Sequence, residues 1–281
     1  MAAIASVASV HLIGRAREET NTDESTLTSP ELMLQDSRVG AVAVLTRPAD
    51  REYWVRQAAD CGKHVICEHP VVSTAGRAIK LSNHCKENDV ALFLVDRFSS
   101  ESERLLRGSI AEAALGHIVF VEVDVFVPRA WINPWQDGVV LEYGASFTTL
   151  LQDCLGPIDT IYARTRSLVT NRPQEDVGVV QLRFKSGVEG TLKINGLGAD
   201  ATVRVAVYGK DHSTGFEVDL RQADAIGLRT SYEEVGAVAR GHFPEQAHSA
   251  DALTESLFLV DWIHQSARNN TEVLRRDARL R

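Results

Sequence analysis

The 281-residue chain carries 30 Lys and Arg against 38 Asp and Glu, a formal net charge of −8, with 44% hydrophobic and 24% charged residues. This composition is globular, long enough for one large domain or two ordinary ones, and with no basic stripe it excludes a general nucleic-acid binder. No apolar run reaches the ~20 residues of a membrane helix, and the apolar opening MAAIASVASVHLIG lacks a basic n-region, so a cytoplasmic protein is expected.

In chain order, Ala5–Ile13 reads as a strand, and Ser29–Asp36 as a short helix with Pro30 in its first turn. Val39–Leu45 (VGAVAVL) is a β-branched run without polar alternation, the pattern of a strand buried on both faces. An amphipathic helix over Asp50–Cys61 ends at Gly62, where a C-cap glycine belongs. His64–Cys67 is the next strand, Thr74–Asn88 a helix and Ala91–Val95 a further strand. Strands alternating with helices predict a parallel sheet with helical crossovers. After residue 116 the rhythm changes to long strands at Ile118–Val127, Ile158–Arg166, Val177–Phe184, Val188–Asn195 and Thr202–Tyr208, with Leu141–Leu155 helical. Phe184–Gly187 reads as a hairpin turn, and Ala250–Ala267 as a closing helix. The expected architecture is α/β over residues 1–115, followed by an α+β domain with a mostly antiparallel sheet over residues 116–281.

The segment GKHVICEHP (62–70) poses the chemical question. A buried strand stops abruptly at Glu68-His69-Pro70, because proline cannot continue the ladder and biases His69 toward extended backbone. Two ionisable side chains are thereby left at the carboxyl end of a parallel strand, the edge where ligands sit in open α/β sheets. Cys61, Cys67, Cys85 and Cys154 show no CxxC spacing and read as reduced structural thiols. His242 and His248 have no metal-ligand spacing, and no metal site is expected.

Several stretches together resemble the glucose-fructose oxidoreductase/inositol dehydrogenase (Gfo/Idh/MocA) family. VGAVAVLTRP (39–48) is similar to its strand ending in Thr-Pro, and AADCGKHVICEHP (58–70) to its AxxxGKHVxxEKP signature. LFLVDRF (92–98), WINPWQDGVVLEYGAS (131–146) and SLFLVDWIHQSARNNTEV (256–273) resemble the following strand, the DxGxH helix with its preceding turn, and the closing helix. The resemblance implies a Rossmann-like domain followed by an open-faced sheet. Aligned this way, Ala5–Ile13 corresponds to the family's second strand, so a truncated Rossmann-like sheet without the first strand and GxGxxG turn is expected, with Ala5–Ile13 pairing beside Val39–Leu45. The family Lys, Asp and His are replaced by His69, Glu142 and Ser146.

The resemblance also implies site roles. His69 stands in as acid/base, its unperturbed pKa near ~6.5 suiting proton transfer at neutral pH. Glu142 supports it or orients substrate. Ser146 can only exchange hydrogen bonds with substrate. Thr46, Arg47, Pro48 and Glu68 correspond to the nicotinamide side of a cofactor pocket, and Arg97, Trp131 and Trp135 to the substrate wall. NAD(P) is the implied cofactor, with weak or absent binding expected because the phosphate cradle of the dinucleotide fold is missing. Arg15 and Arg17 would suit a 2′-phosphate. A small-molecule substrate and a homodimer or higher homo-oligomer, joined through the exposed face of Val177–Asn195, complete the expectation. The functional reading is a nicotinamide-linked oxidoreductase acting on a small cyclic, sugar-like or carbonyl substrate. A non-redox lyase, isomerase or decarboxylase using His69 and Glu142, and a non-catalytic ligand-binding protein, stand beside it as alternatives.

Overall fold

The computed structural model describes residues 15–16, 27–95, 99–111, 113–131, 138–168, 174–222 and 250–275. Two compact units emerge. The first holds two short paired strands, β1 (Arg15–Ala16) and β2 (Leu27–Thr28), and a parallel sheet in the order β3-β4-β5. Its strands are β3 (Ala41–Val44), β4 (His64–Glu68) and β5 (Leu92–Val95), with α1 (Pro30–Gln35), α2 (Pro48–Asp60) and α3 (Ala75–Glu87) between them. The βαβ rhythm of the sequence is therefore realised. Ala5–Ile13 lies outside the described residues.

Local chemistry explains the boundaries. Ser29 caps α1 by accepting from the Leu32 amide at 3.2 Å, with Pro30 in the first turn. Helix α2 begins two residues before the expected Asp50 because Pro48, with fixed φ and no N–H, fits the first helical position. It ends where Gly62 takes a φ of +66°, and the Gly62 and Lys63 amides fold back onto the carbonyls of Ala59 and Ala58. One expectation needs correction. Strand β3 is not buried on both faces: Ala41, Val42 and Ala43 are half-buried and Val44 alone is buried, as suits the end strand among the described strands of this sheet.

The second unit is built on a seven-stranded sheet in the order β11-β10-β6-β9-β8-β7-β12. Its members are β6 (Ile118–Phe126), β7 (Ile158–Arg166), β8 (Val177–Phe184), β9 (Glu189–Asn195), β10 (Thr202–Gly209), β11 (Ser213–Asp219) and β12 (Val273–Leu274). Only the β6–β9 pair is parallel. Val121, Val123 and Val125 on β6, Val180 and Leu182 on β8, Leu192 and Ile194 on β9, and Val203, Val205 and Val207 on β10 are all buried. The residues between them face outward, so the sheet has one covered and one open face, as a period of two dictates. Helices α4 (Ser99–Ile110), α5 (Ala145–Leu155) and α6 (Ala250–Asn269) complete the elements.

Helix α4 has no counterpart in the sequence reading. Its buried stripe is Ser102, Leu106 and Ser109, so two of three inward positions are serines and the hydrophobic period is masked. Burial pushes the Cys67 thiol up to about 12 and those of Cys85 and Cys154 up to about 11, keeping them protonated at neutral pH. All four cysteines are free thiols. Among the described residues no helix is long and apolar enough to cross a membrane.

Phe147, fully buried on α5, carries part of this core. Phe147→Ala is expected to cost about 3–5 kcal/mol in guanidinium unfolding, whereas Leu168→Ala, at a position 59% exposed, is expected to stay within about 0.5 kcal/mol. Equal effects would contradict this packing.

Candidate active site

In the first unit, the chain leaves β3 through Leu45-Thr46-Arg47 and enters α2 at Pro48. Arg47 offers no side-chain cap to the helix; its Nε donates to Asp50 Oδ2 at 3.0 Å in an exposed pair that contributes little stability. Arg51, inside α2, is 7% exposed and turns back onto the strand ends. Its Nε donates to the Thr46 carbonyl at 3.2 Å, and Nη1 donates to the carbonyls of Glu68 at 3.2 Å and Pro70 at 2.9 Å. Nη2 donates to Glu68 Oε2 at 3.0 Å, closing a largely buried ion pair. One guanidinium thus joins the carboxyl ends of β3 and β4. The sequence reading singled out Thr46 and Glu68 and missed the arginine between them. No local motif marks it; only the tertiary return of α2 brings it there.

His69 follows β4 directly, half-buried, with its amide donating to the Val95 carbonyl at 3.4 Å. The His69–Pro70 peptide is cis, and Pro70 is buried. Thr46 Oγ1 is buried and has no hydrogen-bond partner among the described residues. Arg97 lies outside the described residues.

In the second unit, Glu142 lies in a π turn, Val140–Gly144, that runs into α5, where Ser146 is 7% exposed. Single π turns inside helices recur at functional sites. Thr148 Oγ1 donates back to the Gly144 carbonyl at 2.7 Å, bracing the junction. Trp131 is half-buried in a short 3₁₀ turn with the Arg221 guanidinium 5.7 Å from its ring centroid, so one ring face already carries a cation. Trp135 lies outside the described residues. So do Arg17, His242 and His248, while Arg15 lies in β1. Among the described residues no group of three or more His, Cys, Asp or Glu gathers as a metal site.

Residues 3–95 match the oxidoreductase-family NAD-binding Rossmann fold of the GFO/IDH/MocA proteins, and residues 104–214 match the C-terminal domain of the same proteins. The chain belongs to the Gfo/Idh/MocA oxidoreductase family. Among curated relatives, it is 28% identical over 146 residues to D-xylose 1-dehydrogenase (NADP(+)) 2 of Haloferax volcanii, covering 49% of this chain and 44% of that protein. It is 26% identical over 234 residues to 1,5-anhydro-D-fructose reductase of Ensifer adhaerens, covering 80% of this chain and 68% of the reductase. The WlbA dehydrogenase of Bordetella pertussis, solved with NADH and UDP-GlcNAcA, shares the fold with a TM-score of 0.76 at 21% identity, over 88% of this chain and 83% of the other.

A Gfo/Idh/MocA protein implies a nicotinamide cofactor, and among the described residues one polar group at the strand ends is open to a ligand. The orphaned Thr46 hydroxyl sits at the carboxyl end of β3, next to the strand end fixed by Arg51, where a polar ligand would satisfy it. The Gly196-Leu197-Gly198 stretch gives no phosphate cradle: it follows β9 in the second unit.

Removing Arg51 would leave Glu68 charged and nearly buried without this partner. Arg51→Met is therefore expected to cost about 3–5 kcal/mol in urea unfolding, with part recovered by adding Glu68→Gln. A loss below about 0.5 kcal/mol would show that the clamp is not what fixes the strand end.

Proposed function

We propose that this protein is an NAD(P)-linked oxidoreductase acting on a carbinol or carbonyl carbon of a sugar-like substrate. The observation that carries the reading is the family match through both units, over residues 3–95 and 104–214, joined by curated relatives named as a sugar dehydrogenase and an anhydrosugar reductase. The cofactor, when bound, supplies the hydride acceptor or donor. Everything else falls to the chain.

Within the first unit, Thr46, Arg47 and Pro48 would flank the nicotinamide ring. Glu68, held by Arg51, keeps the strand end in place. An imidazole nitrogen of His69 takes the hydroxyl proton when a carbinol is oxidised and returns it when a carbonyl is reduced, the general acid–base role that histidine fills most often. Within the second unit, Glu142 and Ser146 would accept and exchange hydrogen bonds with substrate hydroxyls, and Trp131 would pack against the sugar. Arg97 and Trp135 take substrate-binding roles by their place in the family motifs. Hydrogen-bonding groups matched to hydroxyls discriminate strongly between polyols, because an unmatched buried partner is costly.

We also propose a homodimer or higher oligomer through the open face of the second unit's sheet. That face carries apolar groups among its charges: Val179 is 42% exposed and Tyr208 36% exposed. Phe126 lies under the Arg204 guanidinium, 5.0 Å from its centroid, and Tyr208 donates to Glu122 at 2.9 Å. Such a mixed apolar and paired-charge surface suits a self-complementary contact.

Two measurements test these proposals. Nicotinamide absorbance, followed with NAD or NADP and a panel of aldoses and cyclic polyols, is expected to change with the wild type. His69→Asn is expected to turn over about 10²–10⁴-fold more slowly with the fold intact. Full activity in that variant would remove His69 from the chemistry, and substrate conversion without any nicotinamide change would favour a lyase or isomerase. Light scattering at micromolar concentration is expected to give a dimer mass or more; a clean monomer would refute the assembly.

A further inference from the structure

The turn that carries Glu142 is fixed by a residue far away in sequence. Glu175, just ahead of β8, binds the start of this turn twice: its carbonyl accepts from the Val139 amide at 3.1 Å, and its Oε1 accepts from the Val140 amide at 3.0 Å. The carboxylate sits against Gly138, whose φ of +101° and missing side chain both favour the contact, since a Cβ there would run into the Glu175 carboxyl. Gly138 in turn accepts from the Glu142 amide at 3.2 Å. Glu175 thus caps in trans a helix whose own cap residue, Val139, has no side-chain donor or acceptor to offer.

On its other side Glu175 meets α6. His264 Nε2 lies 3.5 Å from the same Oε1 that holds Val140, with side chains 31% and 12% exposed respectively. One helical turn earlier stands Asp261, which accepts from the Ala75 amide at 3.2 Å. Burial raises the Asp261 carboxyl, while that amide and the charges of His264 and Arg268 pull it back. Among the described residues, Glu175 from the β8 lead-in faces His264, and Asp261 and Arg268 flank it on its own helix.

We propose that Glu175, backed by His264, is a positioning residue for the Glu142–Ser146 turn, holding the Val140 amide through the carboxylate oxygen it shares with His264. The functional weight of the turn rests on the reading given above. The coupling itself needs no substrate, so it can be tested even if no turnover is found.

Amide exchange by NMR on the full ¹⁵N-labelled chain decides it. Glu175→Ala is expected to speed exchange at Val140 and Glu142 by about 10- to 100-fold, the effect of losing a charge-assisted hydrogen bond, while β8–β9 ladder amides keep their rates. Glu175→Gln, whose amide oxygen still accepts from Val140, is expected to restore protection there. His264→Asn is expected to speed exchange at Val140 by a smaller factor, about 3- to 10-fold, because the carboxylate loses the contact that backs it. Unchanged exchange at Glu142 in Glu175→Ala overturns the proposal, as does a Glu175→Gln variant no better protected at Val140 than Glu175→Ala. If Glu175→Ala does not fold, His264→Asn decides alone, and unchanged exchange at Val140 there overturns the proposal.

Discussion

The candidate catalytic edge depends on one buried guanidinium. Arg51 gathers three backbone carbonyls and one carboxylate from the ends of β3 and β4. A planar fork with fixed donors can serve several acceptors at once; a lysine at the same place could not hold them in one geometry. A buried pair of this kind is weak evidence for added stability, because desolvation offsets much of the attraction. Its value lies in direction. With Glu68 and Pro70 held on either side, the backbone of His69 has one course to follow, and the imidazole is presented from a rigid strand end.

The second unit solves the matching problem differently. Its sheet buries one face under helices and leaves the other open, and on the covered side the π turn carries Glu142 and α5 carries Ser146. The π turn at the head of α5 widens the helix where Glu142 sits, and Glu175 satisfies the amides that this opening would leave without partners. Both candidate segments are thus placed by charged residues from other elements, Arg51 and Glu175. Neither residue belongs to a sequence motif.

That division explains what the sequence disclosed. Strands β6, β8, β9 and β10 were legible because alternation writes the two faces of the sheet directly into the order of residues. Helix α2 and its end were legible from Gly62, and the family motifs marked His69, Glu142 and Ser146. Helix α4 was invisible because serines occupy its buried stripe, β12 because two residues make no pattern, and the partial burial of β3 because a run of valines and alanines reads the same whether a strand is fully or partly covered. Arg51 and Glu175 escaped for a common reason. An ion pair across 17 residues and an amide-to-carboxylate hydrogen bond across 35 leave no periodic trace in the chain.

Hydride transfer is the point of the account most exposed to test. A reduced nicotinamide cofactor carrying deuterium at its transferable position, incubated with a sugar-like carbonyl substrate and the full chain, gives the most direct answer by mass spectrometry. Deuterium on the carbinol carbon of the product is the expected result. Product that carries no label, or substrate that is isomerised or cleaved while the cofactor stays unchanged, would contradict an oxidoreductase and move the chemistry to a non-redox reaction.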